Sequence, residues 1–223
     1  NQYVLQNEQV FPLPITLAVP EDIYGQITGS EVIDLMAYGE CVAQIQAESR
    51  FKLTGEDIKS IYATLDDRHP GVAREKGRSP FRVGGRSKLL KRELLEEALK
   101  PEEVKRVFWK RGWKTAAGFQ TRNPVHKAHE YIQRLGLEIC DGLFINPITG
   151  WKKKGDFTEE AVMAAYKEMF CSFYPPDRVY IAGLKTQMRY AGPREAVFHA
   201  LIRRNLGCTH FIIGRDHAGV GSY

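Results

Sequence analysis

The sequence holds no run of eighteen apolar residues, which excludes a transmembrane helix. Cysteine is scarce. Cys41, Cys140, Cys171 and Cys208 form no C-x-x-C pair and show no zinc-ligand spacing, so they read as reduced thiols of a cytoplasmic protein. No signal peptide opens the chain, and Asn1 in place of Met points to a trimmed start. There is no internal repeat and no low-complexity tract. The charge excess is small: 32 Lys and Arg against 27 Asp and Glu leave +5. That bias suits a solvated basic surface or an anionic small ligand, and basic strands with interleaved aromatics, the mark of single-strand nucleic-acid binding, are missing.

What is present is an ordinary globular composition over 223 residues, 43% hydrophobic and 26% charged, enough for one large domain or two modest ones. The pattern changes near Lys114. Before it, short β-like runs ("FPLPITLAV", "EVIDLMAYG", "CVAQIQAESRF", "FRVGG") are punctuated by Pro20, Gly25, Gly29 and Gly39, which predicts a compact β domain over 1–113. "KPEEVKRVFWKRGW" predicts a connecting helix over about 100–111, with Pro101 in its first turn and Glu102 and Glu103 at the positive end of its dipole.

Over 114–223 strands alternate with helices: "TAAGF", "PVHKAHEYIQRLGLE", "GLFIN", "TEEAVMAAYKEMFCSF", "RVYIAGL", "PREAVFHALIRRNLG", "THFIIG". Four strands so arranged predict a parallel, doubly wound α/β sheet of order 3-2-1-4. In that order the loops after strands one and four face one crevice, and they read "QTRNPVHKAH" (120–129) and "GRDHAG" (214–219). Asn123 is expected to cap the following helix and Pro124 to open it, presenting free N–H groups to an anion. Val125, Ala128, Ile132 and Leu135 are expected to form its buried stripe, with His126 and His129 turned toward the crevice beside Arg122, Arg215 and His217. Nearly every group there donates, and Asp216 is the only carboxylate of the two loops. His-x-x-His can also hold a metal, but no third ligand is evident. "WKKKGD" (151–156) reads equally as a solvated turn or as a mobile phosphate contact. His199 reads as a core histidine, and His69 and His210 as structural.

Taken together, "FQTRNPVHKAHEY", "MRYAGPREAVFHALIRRNLGCTHFIIGRDHAGVG", "FPLPITLAV" and "HPGVAR" followed by "VGG" resemble the ATP sulfurylase (sulfate adenylyltransferase) family over nearly the whole chain. The resemblance implies a PUA-like β-rich domain followed by a Rossmann-like nucleotidyltransferase domain. It implies reversible transfer of AMP from ATP to sulfate, giving adenosine 5′-phosphosulfate and pyrophosphate, with Mg²⁺. By the same resemblance Gln120, Arg122 and Ala218 bind sulfate, and Thr121, Arg122 and Asn123 are active-site residues. His126 and His129 stabilise the transition state. Gln120, Thr121, Arg122 and Asn123, with Gly214, Arg215, Asp216 and His217, bind the nucleotide, and Arg189 contacts phosphate. A homo-oligomer in the cytoplasm is expected, with no nucleic-acid or membrane partner. An acceptor other than sulfate is the alternative. The bifunctional relatives carry a P-loop kinase module; no G-x-x-x-x-G-K-[ST] occurs here, so kinase activity is not expected. The chain stops one strand short of a five-stranded sheet and lacks a "PLTGFM"-like run, which sets the expectation of a piece of a longer protein.

Overall fold

The computed structural model describes residues 8–91 and 98–221. Contact density divides it into two units: Asn1–Glu97 with Gly219–Tyr223, and Ala98–Ala218.

The first unit is a four-stranded antiparallel sheet of order β1-β4-β3-β2, from β1 (Leu17–Ala18), β2 (Val32–Ala37), β3 (Glu40–Lys52) and β4 (Phe81–Leu89). Val19, Ile27, Ile45, Ala47 and Val83 form its core. Tyr38 and Gly39 join β2 to β3 with φ of 54° and 80°, the two-residue geometry that matches the twist of a hairpin. The sequence reading found the strands but not the short helices α1 (Glu21–Gln26), α2 (Gly55–Tyr62) and α3 (Pro70–Lys76). The signals for the last two are local. Thr54 and Asp57 bond each other's backbone N–H as a capping box, and His69 Nδ1 accepts the N–H groups of Gly71 and Val72. His69 is thus structural.

The second unit runs α4 (Pro101–Lys110), β5 (Ala116–Thr121), α5 (Lys127–Ile139), β6 (Gly142–Pro147), α6 (Glu159–Phe173), β7 (Val179–Ile181), α7 (Pro193–Asn205), β8 (His210–Ile212). Its strands are parallel in the order β7-β6-β5-β8, which is 3-2-1-4 of the unit's own strands. Alternate residues serve opposite faces. Ala117, Phe119, Leu143 and Ile145 pack with Leu137 of α5 and Val162, Tyr166 and Met169 of α6. Ala116 and Phe144 pack with Val104 and Phe108 of α4 and with Leu206. Helix α4, expected as a connector in the 1–113 part, therefore packs with the second unit: Val104 is fully buried there. Gly207 at φ 106° follows the Leu206 cap in the left-handed conformation that glycine takes readily after a helix.

Helix α5 departs from the sequence reading. It starts at Lys127 with an extended His126 at the cap position, so Asn123 does not cap it and Pro124 does not open it. The cause is a competing turn: Thr121 Oγ1 accepts the Asn123 N–H and lies 3.1 Å from the Asn123 carbonyl, committing 121–123 to a different local geometry. The buried face shifts accordingly. Val125 and Ile132 touch the core as expected, but Ala128 and Leu135 are exposed, and Gln133, Gly136 and Leu137 are buried instead. Gly136 permits a close approach, since a Cβ there would stand 3.0 Å from Ile212 Cδ1 and 3.3 Å from Ala117 Cβ.

Candidate active site

Strand order reverses between β5 and β8, and a cleft of about 180 Å³ opens beyond their carboxyl ends. Of the residues singled out in the sequence, Gln120, Thr121, Arg122, Asn123, His129, Gly214, Asp216, His217 and Ala218 line it. His126, Arg189 and Arg215 do not. His126 instead stacks on His129, ring centroids 3.7 Å apart. Arg215 is exposed, and the Arg189 N–H is held by Glu195 at 2.9 Å.

His129 sits edge-on to Phe119, with Nδ1 3.5 Å from the Tyr166 hydroxyl. Burial, aided by the neighbouring His126, pushes its pKa down to about 4, so the ring is neutral near pH 7. It acts there as a hydrogen-bonding group rather than a cation. Tyr166 of α6 is itself fully buried, and its hydroxyl also lies 3.4 Å from Gln133 Nε2, so it meets two side chains of α5.

Arg122 is held from the side. Its Nε lies 3.6 Å from Asp156 Oδ2, and its guanidinium carbon is 5.2 Å from the centre of the Tyr190 ring. Asp156 is only 7% exposed; it accepts the Tyr190 hydroxyl at 2.8 Å and pairs with Lys153 Nζ at 3.0 Å. The Lys153 N–H in turn donates to the Tyr190 oxygen at 2.7 Å. The basic 151–156 loop is thus anchored at Lys153 and Asp156, while Lys154 and Gly155 are exposed. Sequence reasoning missed Asp156 and Tyr190 because nothing local marks them. Tyr190 at φ 62° is a signal of another kind, a buried bulky residue in the left-handed region. Lys152 Nζ lies out of solvent, with no hydrogen-bond acceptor among the described residues.

His217 is the second neutral histidine of the cleft. Burial pushes its pKa down to about 4, with His199, Arg203 and Arg122 acting the same way and Glu195 opposing them. Its Nε2 meets His199 Nδ1 at 3.0 Å. His199 is fully buried, as expected of a core residue, yet it touches the site. Ala218 adopts φ 57° at the end of the same loop. Among the described residues no three His, Cys, Asp or Glu converge on a metal position. His210, expected to be structural, lies with Nδ1 3.3 Å from Cys140 Sγ and 2.9 Å from Thr209 Oγ1.

A family model described as ATP-sulfurylase matches residues 96–223, and one described as PUA-like domain matches residues 1–92. The chain belongs to the ATP-sulfurylase family. It is 42% identical to the sulfate adenylyltransferase of Carboxydothermus hydrogenoformans over 100% of this chain and 60% of that protein. It is 44% identical to that of Nostoc punctiforme, over 98% and 57%, and 45% identical to that of Symbiobacterium thermophilum, over 96% and 56%. The chain therefore spans between 56% and 60% of the length of these relatives. Among solved structures, a hexameric APS kinase from Thiobacillus denitrificans superposes with TM-score 0.67 over 96% of this chain and 40% of that one, at 20% identity, a likeness of fold. The family's two parts coincide with the PUA-like β-rich unit and the parallel α/β unit. No described helix is long and apolar enough to cross a membrane.

Proposed function

We propose that the cleft transfers AMP from ATP to sulfate, giving adenosine 5′-phosphosulfate and pyrophosphate in a reversible reaction. The observation that carries the reading is the convergence, at one strand-order switch point, of donors from the loops after β5 and β8. A sulfate oxygen attacks the α-phosphorus, the bond to the β-phosphoryl oxygen breaks, and pyrophosphate leaves. Sulfate carries no proton near pH 7, so no base is required. The difficulty is bringing one anion to the phosphorus of another, and hydrogen-bond donors aimed at that charge are the remedy.

In this reading the Gln120 amide, the Arg122 guanidinium and the Ala218 N–H hold sulfate. Thr121 and Asn123 shape the turn beside it. His129 donates to the crowded phosphoryl oxygens as a neutral ring, and His126, stacked behind it, supports that ring. Gly214, Asp216 and His217 seat the nucleotide, and Arg215 and Arg189 reach phosphate only from outside the cleft lining. The donor set fits Mg²⁺ carried in on the triphosphate: Asp216 is the one carboxylate lining the cleft among the described residues, too few for a protein-held ion. A homo-oligomer and a cytoplasmic setting belong to the same reading.

Sulfate-dependent exchange of labelled pyrophosphate into ATP tests it. Exchange should require sulfate, and Arg122→Ala should lower it roughly 10²–10³-fold with unchanged circular dichroism. Exchange that is indifferent to sulfate but responds to another anion would reassign the acceptor. Selenate and molybdate, which present only acceptor oxygens, should compete with sulfate, while phosphate, usually protonated once, should compete poorly because its O–H faces a donor.

A further inference from the structure

Behind His217 lies a chain of buried groups that the reaction as proposed does not use. The Glu195 carboxylate, 0% exposed, accepts the N–H groups of Arg189 at 2.9 Å and Ala191 at 3.1 Å. Its Oε1 lies 3.3 Å from His199 Nε2, off the axis of an ideal hydrogen bond, and among the described residues no other group bonds that nitrogen. His199 Nδ1 meets His217 Nε2 at 3.0 Å, and His217 lines the cleft.

The protons in this chain follow from elementary constraints. Two lone pairs facing each other across 3.3 Å in a dry interior would repel, so His199 carries its proton on Nε2, toward the carboxylate. Its Nδ1 is then bare, and the contact at 3.0 Å needs a proton from His217 Nε2. The remaining His217 nitrogen, Nδ1, keeps its lone pair. A doubly protonated His199 would reverse this; the Glu195 carboxylate favours it, but burial, the strongest influence, together with the Arg203 guanidinium, itself 0% exposed, outweighs that. Arg203 donates to the carbonyls of His199 and Asn146, at 3.5 Å and 3.2 Å. The charged groups facing the two rings are therefore Glu195, Arg203 and, as a weaker influence on His217, Arg122.

We infer that Glu195 and His199 are positioning residues that fix His217 as its neutral Nε2–H tautomer, so that its Nδ1 accepts a hydrogen bond from the ligand. His217 then reads a donor on the ligand and is not one of the cleft's anion donors. This deepens the function proposed above and rests on it for the ligand, an adenine nucleotide. The donor is either the exocyclic amine of the base or a ribose hydroxyl.

The test has two arms. Imidazole ¹⁵N signals of the intact chain should show His217 as Nε2–H from pH 6 to 8. In His199→Leu they should show mixed tautomers, with the ring still neutral because burial, the main cause of its low pKa, remains. His199→Asn, whose Oδ1 can sit where Nδ1 does, should restore the single tautomer. A wild-type His217 protonated on Nδ1, or signals unmoved in a folded His199→Leu, overturns the assignment. In the second arm, ATP binding is compared with binding of inosine triphosphate and of 2′- and 3′-deoxy-ATP. One of these should bind about tenfold more weakly than ATP, which names the donor, and His199→Leu should narrow that gap to about twofold. Equal binding of all four nucleotides overturns the inference while leaving the nucleotide site in place. A wild type that binds no ATP overturns the proposed function and the ligand half of the inference, and the imidazole signals still decide the tautomer.

Discussion

His126 and His129 stand three residues apart at the start of one helix, while His199 and His217 are separated by 18 positions and strand β8, yet each pair places one ring in the same cleft. Burial drives the pKa of His129 and His217 alike to about 4. Their supports differ. Behind His129 is a hydroxyl, that of Tyr166, which can donate or accept and leaves either tautomer open. Behind His217 is a ring anchored by a carboxylate, which leaves one tautomer. A donor to a developing charge tolerates the first arrangement; recognition of a fixed ligand atom calls for the second.

The largest expected effect follows from that division of labour. His129→Ala should cut pyrophosphate exchange roughly 10²–10³-fold through turnover. His217→Ala should mainly raise the ATP KM. Equal losses of turnover in both variants would dissolve the distinction.

The next effect is on stability. His129, His199 and His217 all have folded pKa values below the ordinary imidazole value, whereas the unfolded chain takes up protons from about pH 6.5 downward. Their neutral state is therefore fully tolerated above that pH, and stability falls as pH drops from about 6.5 toward 4. His217 should cost about 1–2 kcal/mol between pH 7 and pH 5, and the more open, better screened His129 less. Glu195 adds to this lower down. Burial raises its pKa, but the His199 ring and the N–H groups of Arg189 and Ala191 together outweigh that and lower it, so its contribution is lost only as pH falls further. Thermal unfolding at pH 7 and pH 5 measures the drop, and His129→Phe should make it shallower. A midpoint that rises on acidification would contradict the assignment of neutral rings.

Tyr166→Phe should be milder. It removes one long contact to His129 and one to Gln133, worth about 0.5–1.5 kcal/mol each, so exchange should fall no more than about tenfold. The smallest effect is Leu135→Ser. Leu135 is 45% exposed, and the change should cost less than about 0.5 kcal/mol, against about 2–5 kcal/mol for the buried Leu137→Ala. Chemical unfolding of the two variants compares them.

That last pair marks where the sequence was legible. The strand order, the switch point and the two loops could be read because alternation and chain order carry them. The start of α5 could not, since Thr121 turns the backbone before Asn123 can cap it, and the phase of the buried face moves with that start. His126 and His129 were visible as neighbours in sequence. Asp156, Tyr190, Glu195 and His199 joined the site only through tertiary contacts that no local pattern encodes. The histidine taken for core was indeed buried, and burial concealed what it touches.

The strap around Asp156 bears on how the cleft meets its ligand. Tyr190, bent into the left-handed region, ties the 151–156 loop by its hydroxyl, and the loop's carboxylate holds Lys153 and flanks Arg122. The rotamer freedom of these long cations is surrendered when the protein folds, not when an anion arrives. Capture should therefore be limited by diffusion and charge attraction rather than by loop rearrangement, with an association rate that falls as salt rises.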